Sequence, residues 1–163
     1  MSGSDIVERV CAWNESAGNS RGNRRVGSWV SVWRQYELLK EEFHETRVAI
    51  ERRDVIETVD GCVDVMVVAV GLMYRLGLTE QEIKDSIDEI LSANESKFTA
   101  DRRVARDTVE KFRDKGVEVE FSDVSPYVGK VIRSEDQKTY PIGKIIKSLA
   151  YTAPNLSEVL SES

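Results

Sequence analysis

CVDVMVVAVGLMY, residues 62–74, is the stretch of the chain that decides the fold. Every residue in it except Asp64 is apolar, aromatic or glycine, so a helix over these residues has apolar side chains on all sides. Such a helix is normally buried in a core. A carboxylate in that core is unfavourable unless a cation or a hydrogen-bond donor satisfies it. Asp64 is therefore predicted to have a specific partner, and its own helix offers no basic residue before Arg75.

Further acidic residues lie near Asp64 and on the preceding helix. Glu57 and Asp60 come seven and four residues before Asp64. On a helix of about 3.6 residues per turn, these three fall within a sector of roughly 60°. Three acids of the preceding helix share a sector of roughly 100°; they are Glu41, Glu42 and Glu45. If the helices pack antiparallel, the acidic faces converge, and a divalent cation such as Mg²⁺, or Mn²⁺ in its place, is the simplest partner.

The residues alone leave other interpretations open. Glu41, Glu42 and Glu45 lie far round the helix from its aromatic residues, so a solvated acidic face explains them without a ligand. A buried Asp64 is also satisfied if a tryptophan N–H or a backbone amide donates to it. His44, the single histidine, points away from the carboxylates on the helical wheel and is interpreted as a surface residue.

The composition is typical of a helical protein without a nucleic-acid or membrane partner. The chain has 163 residues, 40% of them hydrophobic and 32% charged, which predicts a single domain over residues 1–163. The net charge of −6 argues against binding to nucleic acid. No signal pattern is present and the apolar run is too short to span a bilayer, so the cytoplasm is the expected location. Cys11 and Cys62 form no motif, and Cys62 is predicted to be a small core residue.

The spacing of apolar residues predicts a mainly α-helical fold with a small C-terminal β element. The core covers about residues 28–98, and a further helix, the β element and an extended arm cover about 101–163. Helices are predicted over 4–13, 28–53, 54–76, 79–97 and 101–115. Three of these helices begin at residues that typically cap a helix. The caps are Ser28, Asp54 and the capping box of Thr79 with Glu82.

The same spacing predicts which side chains are buried. One core stripe, at steps of three, four and seven, consists of Trp29, Trp33, Tyr36, Leu39, Phe43 and Ile50. A second stripe, on the fourth helix, consists of Ile83, Ile87, Ile90 and Leu91. Val117, Val119 and Phe121 alternate with acids, which is typical of a strand. Further strands are predicted over 127–132 and 139–142.

Two acidic motifs give the chain a family resemblance. EEFHE (41–45) resembles the EExxE element of the MazG-like, all-α nucleoside triphosphate pyrophosphohydrolases, and ETVDGCVD (57–64) resembles their second acidic element, ExxD. The similarity is closest to a phage branch of phosphoribosyl-ATP pyrophosphohydrolase-like proteins. That branch has stretches similar to ANESKF (93–98) and KSLAYTAPNL (147–156). The resemblance extends over about residues 10–160.

The second motif departs from the family pattern at one position. Gly61 lies three residues before Asp64, where a strict ExxD motif has glutamate, and the literal match runs from Glu57 to Asp60. Asp60 and Asp64 are therefore both candidate principal ligands. The resemblance implies a site for Mg²⁺, or Mn²⁺, among the carboxylates of Glu42, Glu45, Glu57, Asp60 and Asp64.

The resemblance also implies a four-helix-bundle-like core, an activity and an assembly. The expected enzyme is a homodimer or homotetramer that hydrolyses a (deoxy)nucleoside triphosphate to a monophosphate and pyrophosphate. One of Glu41, Glu42 and Glu45 takes the proton of the attacking water, and the residues do not choose among them. dGTP or dATP is the expected substrate, with an effect on the nucleotide pool. The alternatives are dUTP, dCTP or phosphoribosyl-ATP, and the rival class is a non-catalytic helical interaction protein.

Residues outside the acidic motifs are implied as nucleotide contacts. By resemblance, Asn94 and Lys97 contact the base, sugar or phosphate; the alternative is a frayed helix end, where a lysine interacts favourably with the helix dipole. Lys144, Lys147 and Tyr151, by the same resemblance, belong to an arm that covers a neighbouring subunit's site. Three loop arginines are either phosphate contacts or solvated side chains; they are Arg21, Arg24 and Arg25.

Overall fold

The computed structural model describes residues 6–23 and 29–160. Within them the chain is mainly helical with a small antiparallel sheet, so the predicted fold class is confirmed. The chain divides into two compact units, Met1–Asp85 (the N-terminal unit) and Ser86–Ser163 (the C-terminal unit). The elements in chain order are α1 (Ile6–Ser16), α2 (Trp29–Arg52), α3 (Val55–Leu76), α4 (Glu80–Glu95), α5 (Arg102–Arg113), β1 (Val117–Phe121), β2 (Gly129–Ser134) and α6 (Leu156–Val159).

Helices α2 and α3 are joined by a very short connection that the local sequence specifies. Helix α2 ends at Arg52, and Arg53 turns the chain with a φ of 58°. The carboxylate of Asp54 accepts hydrogen bonds from the backbone N–H groups of Ile56 at 3.0 Å and Glu57 at 3.1 Å. Because this side chain pairs amides that the first helical turn leaves free, the predicted cap at Asp54 is confirmed.

The connection from α3 to α4 is also set by local sequence. Gly77 ends α3 with a φ of 98°, a left-handed conformation that glycine adopts without a steric penalty. The backbone N–H of Thr79 donates to Glu82 Oε2 at 2.7 Å, and the backbone N–H of Glu82 donates to Thr79 Oγ1 at 3.2 Å. These reciprocal bonds confirm the predicted capping box.

The aromatic stripe of α2 is exposed, so its prediction as core is wrong. Its exposed members are Trp29, Trp33, Tyr36, Phe43 and Ile50. The exposed fraction reaches 69% at Trp29. The residues that α2 buries are instead Thr46 and Ala49, on another side of the helix. The spacing identifies an apolar side correctly, but no described part of this chain covers it.

Helix α3 is also less buried than an all-round apolar sequence predicts. Cys62, predicted in the core, is exposed, and so are Val63 and Met66. Asp64 is half-buried. Helices α1 and α2 both pack against α3, and together they leave one apolar side of it uncovered. The prediction of complete burial is therefore wrong for the isolated chain.

The C-terminal unit is built around the antiparallel pair β1–β2. Val117 lies opposite Ser134 and Phe121 lies opposite Gly129, with an irregularity after Glu118. Alternate residues of the strands enter a small core with α5 and the following segment; the buried cluster is Phe112, Val117, Val119, Val131 and Ile146. The strand that the alternation predicts over β1 is confirmed.

The segment after β2 differs from its prediction. Residues 139–142 do not form the expected strand. Pairing to β2 begins later, where the N–H of Gly143 donates to the Val131 carbonyl at 2.8 Å and the N–H of Ile146 donates to the Gly129 carbonyl at 3.0 Å. The reason is Pro141, which fixes φ and has no N–H to donate to a sheet.

Some further expectations are corrected or fall outside the described residues. Ile90 and Leu91 of α4, predicted to point inward, are exposed. The tail predicted to be extended contains the short helix α6. Ser28, the predicted cap of α2, lies outside the described residues. Within the described residues, none of the helices is both long enough and apolar enough to cross a membrane.

Candidate functional site

Two close contacts show the register between α2 and α3. Gly61 faces Thr46 so closely that a Cβ atom on Gly61 would lie 2.4 Å from Thr46 Oγ1 and 3.2 Å from Thr46 Cα. Further along α3, Gly71 faces Gln35, whose Nε2 would lie 2.8 Å from a Cβ atom on that glycine. Gln35 Nε2 also donates to the carbonyl of Val68 at 3.4 Å. Because residue numbers rise along one helix as they fall along the other, the hairpin is antiparallel.

This register brings the two acidic motifs together. It places the turn of α2 that carries Glu42 beside the turn of α3 that carries Asp64. Burial raises the pKa of the Glu42 carboxyl, and the negative charge of Asp64 raises that pKa further. Smaller increases in the same pKa come from the charges of Glu45, Glu41 and Asp60. These residues form a cluster of like charges, which a bound cation would stabilise.

A cavity of about 450 Å³ lies on this acidic side of the hairpin, near the connection between the two helices. We call it the acidic cavity. Helix α2 lines it with His44, Glu45, Val48, Ala49 and Arg52. The connection and α3 line it with Asp54, Glu57, Asp60, Gly61 and Asp64. Four carboxylates predicted to be metal ligands therefore share one cavity, while Glu41 and Glu42 are not part of its lining.

The donor set of the acidic cavity suits a hard divalent cation. Glu45, Glu57, Asp60 and Asp64 present carboxylate oxygens, the ligands that Mg²⁺ and Mn²⁺ prefer. Within residues 6–23 and 29–160, however, no group of three or more His, Cys, Asp or Glu side chains stands close enough to hold a metal ion. Binding therefore requires these side chains to change rotamer, which exposed acidic side chains do readily.

Asp64 does not have the hydrogen-bond donor that a buried aspartate would need. It is half-buried, and in the described part of the chain its carboxylate forms no hydrogen bond to a tryptophan N–H or a backbone amide. The interpretation of Asp64 as a buried, satisfied aspartate is therefore not supported. Its position on the wall of the acidic cavity leaves the carboxylate available to a ligand.

His44 and Arg52 are part of the cavity although the sequence interpretation did not place them there. His44 is exposed, as expected, but it lines the same cavity as Glu45 rather than pointing away from the carboxylates. His44, Val48 and Arg52 follow one another at steps of four, so they share one face of α2. This spacing could have predicted from sequence that the three residues lie together. The helical-wheel interpretation considered only the acidic residues and therefore missed it.

The other predicted site residues lie in the C-terminal unit. Lys97 Nζ donates to Asn94 Oδ1 at 2.5 Å just after α4. Lys147 Nζ lies 4.1 Å from the centroid of the Tyr151 ring. Lys97, Lys147 and Tyr151 line a cavity of that unit. Their role in binding a nucleotide remains a prediction.

Of the three loop arginines, the structure describes only Arg21. Arg21 Nη2 donates to Glu15 Oε1 at 3.3 Å, and its guanidinium lies 5.1 Å from the centroid of the Tyr74 ring. These contacts explain Arg21 without a phosphate. Arg24 and Arg25 lie outside the described residues.

A known protein family matches the part of the chain that contains the α2–α3 hairpin and its two acidic motifs. Residues 23–94 match the family model described as phosphoribosyl-ATP pyrophosphohydrolase, a family with the MazG-like all-α fold. The matched residues include both acidic motifs. Members of this family are pyrophosphohydrolases of nucleotide substrates and generally depend on a divalent metal. No curated protein and no solved structure gives a significant match to the chain.

Proposed function

Because residues 23–94 match the family model described as phosphoribosyl-ATP pyrophosphohydrolase, we propose that the protein hydrolyses a (deoxy)nucleoside triphosphate to a monophosphate and pyrophosphate in the presence of Mg²⁺. The observation that carries the proposal is the convergence of the two acidic motifs across one helical hairpin. Four of the proposed ligands line the acidic cavity. Burial raises the pKa of Glu42, and the negative charges of Asp64, Glu45, Glu41 and Asp60 raise it further. The alternative interpretation, an acidic face that only contacts solvent, gives no reason for the acids of two helices to lie together.

The residues of the acidic motifs and of the cavity divide into three roles; Glu42 belongs to the first motif and is not part of the cavity lining. Glu42, Glu45, Glu57, Asp60 and Asp64 are the proposed metal ligands. When bound, Mg²⁺ supplies charge neutralisation on the triphosphate and lowers the pKa of water. One glutamate of α2 that does not ligate the metal takes the proton of the attacking water. Arg52 brings a guanidinium to the same cavity, where it would contact a phosphate group.

The product mixture tests the proposed reaction. Incubated with Mg²⁺ and a panel of triphosphates, the protein is expected to release pyrophosphate from at least one of them, because attack between the α and β phosphates leaves these two together. ³¹P NMR distinguishes pyrophosphate from orthophosphate directly, and EDTA serves as the metal-free control. Release of orthophosphate alone, or activity that EDTA leaves unchanged, would contradict the proposal.

The same panel identifies the substrate. dGTP or dATP is our first choice, which would give the protein a role in adjusting the deoxynucleotide pool. dUTP, dCTP and phosphoribosyl-ATP are the alternatives within the same family of reactions. A non-catalytic interaction protein is the rival class, and it predicts neither turnover of any triphosphate nor a shift in thermal stability on addition of Mg²⁺.

We also propose that the protein assembles as a homodimer or homotetramer through the hairpin. On α2 the exposed apolar residues follow steps of three, four and seven, as in a helix bundle. On α3 a second exposed stripe consists of Ile56, Val59, Val63 and Met66. Exposed apolar surface of this extent is unusual for a monomer. Two hairpins packed by a twofold axis would bury both stripes and complete a four-helix bundle.

A charge within the α2 stripe is expected to prevent association. In Phe43→Asp, a carboxylate replaces a ring that is 57% exposed in the single chain, and burial of that carboxylate in an interface is strongly unfavourable. Sedimentation velocity should show a monomer for this variant and a dimer or tetramer for the parent protein. Ile142→Asp, at an exposed residue of the C-terminal unit, is the matched control and should assemble normally. A monomeric parent protein would refute this part of the proposal.

A further inference from the structure

A second cavity, of about 420 Å³, lies within the C-terminal unit and is strongly basic. Five of the nine lysines in the chain line it, and no described aspartate or glutamate is part of its lining. The whole chain has a net charge of −6, so this local excess of positive charge does not follow from the composition. We call it the lysine cavity; its lysines are Lys97, Lys111, Lys115, Lys144 and Lys147.

The backbone holds these lysines in one place. Lys111 is in the last turn of α5, and Lys115 lies in the turn that follows the helix. Lys144 follows β2, where its carbonyl accepts a hydrogen bond from the N–H of Val131 at 3.0 Å. The N–H of Ser148 donates to the carbonyl of Lys97 at 3.3 Å. The N–H of Leu149 donates to Thr108 Oγ1 of α5 at 3.1 Å. Three separate segments are thereby tied together around the cavity, so the positive charges are not brought together by flexible side chains alone.

One acidic side chain interacts with this set. Hydrogen bonds from Thr139 and, to a smaller extent, the charge of Lys144 lower the pKa of Asp136, which is not part of the cavity lining. In the part of the chain that the structure describes, none of the five lysines forms an ion pair with an aspartate or glutamate. Lys144 Nζ donates to the Thr139 carbonyl at 2.6 Å. The Nζ atoms of Lys115 and Lys147 lie 5.6 Å and 4.1 Å from the ring centroids of Phe112 and Tyr151. These contacts position the ammonium groups without removing their charge.

The simplest alternative explanation covers only part of the set. Lysines near a helix C-terminus interact favourably with the helix dipole, which accounts for Lys111 in the last turn of α5. It does not account for Lys144 and Lys147, which lie on another segment. Positive charges close together repel one another, so the grouping of five lysines around one cavity is unfavourable without an anion. A cleft lined by one sign of charge concentrates ligands of the opposite sign.

We propose that the lysine cavity binds the diphosphate or triphosphate group of a phosphate compound. Lysine ammonium groups bind phosphate oxygens as point charges, and several lysines together favour a chain of phosphates over a single one. The volume lies within the range of about 300–1,000 Å³ that is typical of small-molecule sites. The chemistry fits both a nucleoside triphosphate and free pyrophosphate. The inference goes beyond the proposed hydrolysis, because binding here requires neither a metal ion nor a reaction.

Calorimetric titration of the full-length protein in EDTA tests this proposal. Inorganic tripolyphosphate is expected to bind more tightly than pyrophosphate, and pyrophosphate more tightly than orthophosphate. The variant Lys111→Gln with Lys144→Gln should bind tripolyphosphate at least about tenfold more weakly, since charged hydrogen bonds are lost. The matched control is Lys130→Gln with Lys138→Gln, which removes two exposed lysines of the same unit outside the cavity. If the first variant does not fold, Lys111→Gln alone replaces it, because Lys111 has no hydrogen bond in the described residues to lose.

Further results of the titration distinguish a nucleotide from a free phosphate chain as the ligand, and the lysine cavity from other binding sites. A nucleoside triphosphate that binds more tightly than tripolyphosphate would identify a nucleotide as the ligand, and equal affinities would identify the phosphate chain alone. Three results would overturn the proposal: equal loss of affinity in the cavity variant and its control, loss of affinity in Asp64→Asn, or tighter binding of a single-stranded oligonucleotide. The first result would indicate non-specific charge, the second the acidic cavity, and the third a nucleic-acid surface.

Discussion

Replacement of Asp64 by alanine is expected to reduce Mg²⁺-dependent pyrophosphate release by about a hundredfold or more, the range seen when a metal-site or acid–base carboxylate is lost. Asp64 has this importance because it is the carboxylate of α3 that contributes most to the raised pKa of Glu42 on α2. It also lines the acidic cavity. Its removal leaves the two acidic motifs with fewer shared oxygen ligands, so less Mg²⁺ would be bound at any concentration.

The expected loss is catalytic rather than structural. Asp64 forms no hydrogen bond in the described residues, so the far-UV circular dichroism of Asp64→Ala should match that of the parent protein. Glu45→Ala should behave in the same way. Glu37→Gln is the matched control, because Glu37 pairs with Lys40 at 2.9 Å on an exposed part of α2 and does not line the cavity. Full activity of Asp64→Ala with normal Mg²⁺ dependence would exclude the acidic cavity as the active site.

Gly61→Ala is expected to reduce kcat/KM about a hundredfold, because displacement of catalytic groups by about 1 Å has an effect of that size. The added Cβ atom would lie 2.4 Å from Thr46 Oγ1 and 3.2 Å from the backbone Cα of Thr46. Thr46 has little freedom to move, since its hydroxyl donates to the Glu42 carbonyl at 2.7 Å. The two helices must therefore separate at the level of the carboxylates.

The stability of Gly61→Ala should change less than its activity. Overpacking destabilises by about 1–3 kcal/mol, while alanine gains about 1 kcal/mol over glycine in a helix. Urea denaturation measures the difference. Gly71→Ala is the control, because its Cβ would meet the end of the flexible Gln35 side chain at 2.8 Å, and the side chain can move away. Activity should remain normal in that variant.

A second substitution distinguishes steric separation from other effects. Thr46→Ala removes the Oγ1 atom, and the nearest remaining atoms then lie 3.2 Å from the new Cβ. The double variant Gly61→Ala with Thr46→Ala should therefore recover much of the lost activity. If Gly61→Ala is fully active, or if the double variant shows no recovery, close helix packing at Gly61 does not position the site.

This close packing also explains the departure from the family motif. The ExxD pattern before Asp64 would place a glutamate at Gly61, but there α3 faces Thr46 with no space for a side chain. The acids Glu57, Asp60 and Asp64 lie on the cavity side, three and four residues apart. The sequence shows the departure but offers no reason for it, because the reason is a contact with another helix.

Local sequence determined the helices and their ends. Asp54, Gly77, Thr79 and Glu82 act through bonds or backbone conformations that involve residues at most a few positions away, so their effects follow from sequence alone. The apolar spacing of α2 likewise identified its aromatic side correctly. It did not reveal what covers that side, because periodicity shows that a face is apolar and says nothing about which surface it meets.

The sequence by itself determined a mainly helical chain, the caps that divide it, and two acidic motifs on neighbouring helices. Only the tertiary structure decided how those motifs meet, since the register of α2 against α3 depends on contacts such as that between Gly61 and Thr46. The same holds for the lysine cavity, whose residues come from three segments of the C-terminal unit. Charges that are distant along the chain act on one another only after packing makes them neighbours, because electrostatic interaction depends on distance in space.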